Sequence, residues 1–234
     1  MSLIRRVSLF SLCLIAPLMP AIAEADDPAA TLKAAQQTAL ADCAYDMRRT
    51  IADGDQTLEH EYAYNPAEAR PLRLVSSGGD APSAEEIASF NQAIDSRGDK
   101  PFTYGRTGTE AQLLAADFDY VRRDGDRLIF EANKLAKGTS VFMGTDISKQ
   151  LRAELTVNIG GVVPFVEEAV LASKKSFRFK VVARINEARE VRSYMQTEDG
   201  KTYLARVHLT YNGSSLGSKI DEDHTRAFSN VDCG

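Results

Sequence analysis

Residues 151–159 read LRAELTVNI, and the alternation in this stretch decides the fold class that the sequence predicts. Every second residue is apolar: Leu151, Ala153, Leu155, Val157 and Ile159. The residues between them are polar or charged. A period of two is typical of a β-strand that buries one face and exposes the other. We therefore expect a β-sheet with one apolar face.

The same alternation recurs along most of the chain. On the C-terminal side it predicts strands over residues 165–172, 177–188, 191–195, 203–211 and 223–231. On the N-terminal side it predicts strands that begin at Cys43 and then cover residues 58–64, 72–74, 114–120 and 128–132. Short turns and a loop over residues 212–218 link these strands, and short links join antiparallel neighbours. The sequence thus predicts an antiparallel sheet of about ten strands, which is wide enough to curl or close.

Three segments interrupt the strand pattern. Asp27 and Pro28 are typical of a helix start and predict a helix over residues 29–42. Ser83 and Glu86 have the spacing of a capping box, which predicts a second helix that runs to about Ser96. Residues 97–111 are interpreted as an exposed loop, and residues 134–150 break the alternation. The predicted fold class is α+β, a large curved antiparallel sheet (an open or half β-barrel) covered by a few helices.

The N-terminus has the build of a secretory signal peptide. Arg5 and Arg6 precede an apolar run over residues 7–19, and Ala21 and Ala23 are small residues at positions that a signal peptidase reads. Cleavage after Ala23 is expected, with a cut after Ala25 as the alternative. A membrane anchor is the competing interpretation, but the run is shorter than the ~20 apolar residues that span a bilayer. We therefore predict a signal peptide over residues 1–23, a single domain over residues 24–234 and a periplasmic location, with no membrane span after cleavage.

Cys43 and Cys233 are the only cysteines that remain after signal cleavage. In an oxidising compartment two such thiols are expected to form a disulfide. Because Cys43 begins the first strand and Cys233 ends the last, the bridge also predicts that the two edges of the sheet meet at one rim.

The sequence offers few catalytic options. Its net charge of −5 disfavours nucleic acid as a partner. The three histidines, His60, His208 and His224, show no spacing typical of a helical zinc site, and no G-x-S-x-G or G-x-G-x-x-G motif occurs. A strand site that pairs His224 with Glu222 is conceivable, although a solvated acidic turn is favoured. We expect no metal, no cofactor and no enzymatic activity, and an unrecognised hydrolase that uses His60 or His208 stays an alternative.

The apolar face itself is the strongest functional candidate. One interpretation is a packed core, and the other is a hollow that takes an acyl chain. The residues expected to line that hollow are Tyr45, Met47, Phe118, Tyr120, Phe130, Leu155, Val157, Phe177, Phe179, Val181, Val207 and Leu209. Val141, Phe142 and Met143 are expected to form its lid. A ligand-sized hollow requires roughly 300 Å³ or more.

The order of elements resembles that of periplasmic LolA-like lipoprotein carriers and their RseB-type relatives. The residues that carry this resemblance are the hairpin over residues 118–130, the connection over residues 171–177, and residues 43–49, 70–74 and 82–86. The last three stretches are similar to uncharacterised secreted proteobacterial proteins with a cysteine strand and a P-T-x-E-E helix start. The resemblance implies an open barrel with helices as a lid over a lipid-sized cavity.

The expected function is that of a periplasmic carrier that binds the acyl chains of lipids or lipoproteins. The alternative of another class is an envelope sensor or protein-interaction module without enzymatic activity, whose partners are envelope proteins bound through an exposed sheet edge or the loop over residues 97–111.

Overall fold

The computed structural model describes residues 27–38, 41–96, 113–142, 145–179 and 183–234, and for residues 141 and 142 the backbone alone. Helix α1 covers Pro28–Gln37, helix α2 covers Ala84–Asp95, and a 3₁₀ turn covers Ser148–Gln150. The strands are β1 (Ala44–Asp53), β2 (Gln56–Tyr64), β3 (Leu72–Ser77), β4 (Asp119–Asp124), β5 (Arg127–Ala132), β6 (Val141–Phe142), β7 (Thr145–Asp146), β8 (Leu151–Asn158), β9 (Phe165–Ser173), β10 (Phe177–Phe179), β11 (Ala183–Gln196), β12 (Thr202–Ser215) and β13 (Ser218–Asp232).

Eleven strands form one antiparallel sheet, which confirms the predicted α+β class. The strand order is β3-β2-β1-β13-β12-β11-β9-β8-β5-β4, with β10 paired to β11, while β6 and β7 form a separate hairpin. Most neighbouring strands in the sheet are also neighbours in the chain, and the first strand pairs with the last, whereas β3 and β4 form the two edges. Among the described residues the sheet is therefore open between β3 and β4, the two strands that flank α2 in the chain.

The disulfide between Cys43 and Cys233 is present, with the two Cα atoms 4.2 Å apart. The expectation that it joins the sheet edges is wrong, because β1 and β13 pair from Ala44 to Asp53 and lie inside the sheet. The bridge instead fastens one end of an existing strand pair. Because disulfides persist in oxidising compartments, it indicates an extracytoplasmic location. None of the helices in the described ranges is both long enough and apolar enough to cross a membrane.

Helix α1 begins as predicted and ends earlier. The Asp27 carboxylate accepts hydrogen bonds from the backbone N–H groups of Ala29 (2.9 Å) and Ala30 (3.3 Å), which caps the first turn. Thr38 has extended backbone angles (φ −61°, ψ 112°), so the helix ends at Gln37 and not at residue 42. Buried Leu32 and Ala35 pack α1 onto the sheet.

Helix α2 has the predicted capping box. Glu86 N–H donates to the Ser83 hydroxyl, and the Glu86 carboxylate accepts from the Ser83 N–H in return. No residue of α2 is fully buried, although Phe90 and Ile94 contact the sheet. The helix is thus held mainly at its start and along one stripe.

Residues 177–188 do not form one strand, which corrects that prediction. Phe177 to Phe179 fold back on the start of β11, where Phe177 lies opposite Ile185. Strand β11 then continues through Gln196 without the break predicted before Val191. A uniform alternation cannot show such a reversal, because both arms of a hairpin carry the same period.

The loop predicted over residues 212–218 is also wrong. Strand β12 runs through Asn212 and Gly213 to Ser215, and the turn is formed by Leu216 and Gly217, which have φ values of 49° and 86°. An extra residue in β12 shifts its pairing with β11 near Ala205, because Ser193 pairs with Arg206 and Tyr194 with Leu204. Leu204 is therefore buried, and Tyr203 does not share a face with Val207.

Strand β4 begins later than predicted, because it covers Asp119–Asp124 and all six residues are exposed. Leu114 and Ala116 precede the strand and contact the core from outside the sheet. The predicted signal peptide over residues 1–23 and the predicted loop over residues 97–111 lie outside the described residues.

Candidate binding site

The interior face of the sheet, which carries the buried apolar residues, is covered by two separate clusters. The large cluster is built on strands β5, β8, β9, β11 and β12, and Leu32 and Ala35 of α1 pack against it. The small cluster consists of Met47, Tyr62, Tyr64 and Leu72, with Phe90 and Ile94 of α2 in contact. Phe228 of β13 contacts both clusters. The two helices therefore cover opposite ends of the sheet, and β13, β1 and β12 form the floor between them.

The small cluster is also anchored by a polar bond. The Tyr64 hydroxyl donates to the Asp42 carboxylate at 3.1 Å. Burial, and then the negative charge and hydrogen bond of Asp42, raise the pKa of Tyr64 to about 12. Tyr64 thus stays a neutral donor at physiological pH.

The residues expected to line a hollow have different surroundings. Those buried in the large cluster are Phe130, Leu155, Val157, Phe177, Phe179 and Val207. Met47 is buried in the small cluster. Tyr45, Phe118 and Leu209 are partly buried, and Tyr120 of edge strand β4 is 46% exposed. Val181 and the expected lid residue Met143 lie outside the described residues, and Val141 and Phe142 are described by their backbone alone.

A cavity of about 70 Å³ lies on the interior face at the rim of the large cluster. Its apolar walls include Leu151, Leu171, Phe177, Ile185 and Leu209. Ser140 and Ile147 also line the cavity, so it lies next to the hairpin that was expected to be a lid. Of the residues predicted to face a hollow, Phe177 and Leu209 line this cavity.

The base of that hairpin is tied by a compact hydrogen-bond network. The fully buried Ser148 hydroxyl donates to Asp146 at 2.6 Å and accepts from the Ser140 N–H at 3.0 Å. Asp146 also accepts the Gly138 N–H at 3.1 Å. The hydrogen bonds from Ser148 hold the pKa of the Asp146 carboxyl below its ordinary value. The segment from Gly138 to Ser148 is therefore fixed at its base beside the cavity.

Tyr211, which lines the cavity, belongs to a polar network. The Tyr211 hydroxyl donates to the Glu222 carboxylate, and His224 Nε2 lies 2.7 Å from the same carboxylate. Burial and the negative charge of Glu222 raise the pKa of Tyr211. His224 is half-buried and lies inside strand β13. The solvated acidic turn that the sequence predicted here is therefore wrong. The cavity thus combines apolar walls with a few polar residues, which include Ser140, Glu190 and Tyr211.

A row of mostly basic side chains crosses the interior face of the sheet beside this cavity. Register places His60 opposite Arg49, Arg49 opposite Arg226, Arg226 opposite Val207, and Val207 opposite Arg192. We call His60, Arg49, Arg226 and Arg192 the basic row. Arg192 Nε forms an ion pair of 2.6 Å with Glu190, a residue that lines the cavity, and both side chains are largely buried. The apolar pattern of the single strands does not reveal this row, because only strand pairing brings its members together.

Two larger hollows lie away from the interior apolar face. A groove of about 230 Å³ on the outer face is lined by charged residues that include Arg152, Glu154, Glu168 and Arg189. A cleft of about 710 Å³ at the turns includes Arg127, which forms two 2.7 Å hydrogen bonds with Glu167. These bonds lower the pKa of Glu167. Charged linings of this kind do not match an acyl chain.

The histidines do not come together. His208 lies on the outer face and contacts the Asp223 carboxylate at 2.9 Å, whereas His60 and His224 lie on the interior face. Within the described ranges no three His, Cys, Asp or Glu side chains are grouped so that they could hold a metal ion.

Comparison with protein-family models, with curated proteins and with solved structures finds no match to this chain.

Proposed function

We propose that this protein binds an acyl chain in the periplasm, with the interior cavity as the entry point and the hairpin from Gly138 to Ser148 as its lid. The observation that supports this proposal is the position of the cavity, which has apolar walls and lies beside the hairpin. The resemblance to LolA-like and RseB-like proteins, in which lipid binding is the expected property, is a second support. On this proposal the protein is a carrier and not an enzyme.

The proposal requires the lid to move. The cavity of about 70 Å³ falls short of the roughly 300 Å³ expected of a ligand-sized hollow, so an acyl chain needs additional space. Displacement of the hairpin would extend the cavity without breaking the sheet, because β6 and β7 pair only with each other. The bonds at the hairpin base would then act as the hinge.

The test is the uptake of a fluorescent fatty-acyl probe by the delipidated protein, combined with mass spectrometry of the purified protein for bound lipid. Ala188 lines the cavity, so Ala188→Leu should fill it and reduce the affinity for the probe by about tenfold. The matched control is Ala172→Leu on the outer face, which should leave the affinity unchanged. The wild-type protein should take up the probe and carry lipid when it is purified.

Failure of the wild-type protein to bind the probe, together with lipid-free mass spectra, would contradict the proposal. Specific recovery of a protein partner under those conditions would favour the alternative, an interaction module.

The feature that favours that alternative is edge strand β4, where Tyr120 and Val121 are 46% and 43% exposed. A bulge between Tyr120 and Arg122 disrupts this edge, however, and flanking charges make strand addition unfavourable.

A further inference from the structure

The basic row lies on the floor between the two apolar clusters. Strand register fixes the order of its members. His60 of β2 lies opposite Arg49 of β1, and Arg49 lies opposite Arg226 of β13. On its other side, Arg226 lies opposite Val207 of β12. Arg49 alternates with buried Met47, and His60 stacks with Tyr62 at 6.2 Å between ring centroids. These side chains therefore face the interior side of the sheet.

Two atoms of the row have no hydrogen-bond partner although they are buried. They are Nε of Arg49 and Nδ1 of His60, which lie on directly opposite residues of β1 and β2. Buried polar atoms are normally satisfied. Arg49 Nε can only donate, and His60 Nδ1 donates in the tautomer that carries its proton there, so the two atoms together fit one missing acceptor.

Two acidic groups on the same face, Glu190 and Glu222, already have partners. Glu190 pairs with Arg192, and Glu222 binds both His224 and Tyr211. Glu86 of α2 lies near enough to interact electrostatically with His60, but its carboxylate accepts hydrogen bonds from Ser83 and Ser77. Arg48, the neighbour of Arg49 in the chain, differs in this respect. Its Nε on the outer face donates to the Glu59 carboxylate at 2.7 Å, whereas Arg49 Nε has no partner.

Arg49 and Arg226 also lie directly opposite each other in the strand pair. Side chains in this arrangement are close, and two like charges there repel each other. An anion between them would reduce the repulsion and accept hydrogen bonds from the unsatisfied donors. The planar guanidinium group binds carboxylate and phosphate oxygens with two parallel hydrogen bonds.

We infer that Arg49, His60 and Arg226 form a binding site for an oxyanion, a phosphate or carboxylate group. As the site for the head group of an amphiphile, it rests on the proposed function, because the chain of that amphiphile would have to extend to the cavity, whose wall includes Leu209 on β12, the strand beside β13. As an anion site it is independent of the acyl chain. A free phosphate and a lipid head group share this chemistry.

The experiment titrates the mature protein with inorganic phosphate, with dodecyl phosphate and with uncharged dodecanol, and measures affinity by calorimetry. Arg49→Met should weaken the binding of dodecyl phosphate by at least about tenfold and leave dodecanol unaffected. Arg48→Met, the matched control on the outer face, should leave both affinities unchanged. In the wild-type protein the ¹⁵N resonance of Arg49 Nε should shift when dodecyl phosphate is added.

The outcomes separate this inference from the proposed function. Equal binding of dodecyl phosphate to the wild-type and Arg49→Met proteins, with no shift of Arg49 Nε, overturns the anion site even if dodecanol binds. Binding of inorganic phosphate that depends on Arg49, without any affinity for either dodecyl compound, supports the anion site and contradicts the proposed function. If Arg49→Met does not fold, His60→Gln and the wild-type resonance shift decide between these results.

Discussion

At Gly213 the residue type is set by a neighbouring backbone. A Cβ atom at this position would lie 2.1 Å from the carbonyl oxygen of Arg184 on strand β11. The contact lies beside the bulge between Ile185 and Glu187, where β11 approaches β12 irregularly. Only glycine fits here without a shift of one strand, so the residue is a structural requirement of this part of the sheet.

Gly213→Ala should therefore lower the free energy of unfolding by about 1–3 kcal/mol, because a backbone atom cannot rotate away from the added methyl group. Gly217→Ala is a control of a different kind, since that site is open but has a φ of 86°. It should cost about 1 kcal/mol through backbone conformation alone. Urea denaturation measures both losses, and a loss below about 1 kcal/mol for Gly213→Ala would contradict the role of the Arg184 contact.

At the scale of one element, the hairpin from Gly138 to Ser148 depends on a single carboxylate. Asp146 accepts hydrogen bonds from the Ser148 hydroxyl, the Ser148 N–H and the Gly138 N–H. These bonds lower its pKa from the ordinary 3.8. The ionised form is therefore the one that holds the hairpin, and its contribution to stability is complete above the ordinary pKa.

Acid should loosen this hairpin before it affects the sheet. As the pH falls from 3.8 through the lowered pKa, Asp146 gains a proton and its bonds weaken. Hydrogen exchange at the Gly138 and Ser148 amides, after correction for the intrinsic rate, should accelerate as the pH falls from about 5 through the lowered pKa of Asp146. Asp146→Asn should show the faster exchange already at about pH 5. An exchange rate that does not change with pH in the wild type would refute this role.

At the scale of the whole molecule, the last strand, β13, pairs with the first strand, β1, inside the sheet. The pairing with β13 extends along the whole of β1, from Ala44 to Asp53. The disulfide lies at the end of this pair and closes a loop with a sequence separation of 190 residues. It limits how far the two ends of the unfolded chain can separate.

Loss of the disulfide should destabilise the fold by about 2–5 kcal/mol, because long closed loops restrict the unfolded chain strongly. Cys43→Ser with Cys233→Ser removes the bond, and urea unfolding measures the loss. Reduction of the wild-type protein should give a similar loss, which serves as the control for any effect of the serine side chains. Unchanged stability in both would show that the β1–β13 hydrogen bonds alone hold the ends.

The sequence by itself determined the local structure where a short-range rule applies. The alternation in residues 151–158, the capping box of α2 and the pairing of the two remaining cysteines were predicted because each depends on neighbouring residues or on a count. The reversal at β10 and the extra residue in β12 were missed because the period of alternation does not show which strand lies alongside. The same limit hid the turn at Leu216 and Gly217.

Only the tertiary structure decided what meets on the interior face. A period of two assigns Arg49, His60 and Arg226 to faces of their own strands, but strand pairing brings them into one row, and Arg226 comes from the far end of the chain. Packing likewise decided that most of the expected hollow is filled and that about 70 Å³ is left beside the hairpin. Burial of a face is a local property of sequence, whereas the space above it and the charges across it depend on long-range pairing.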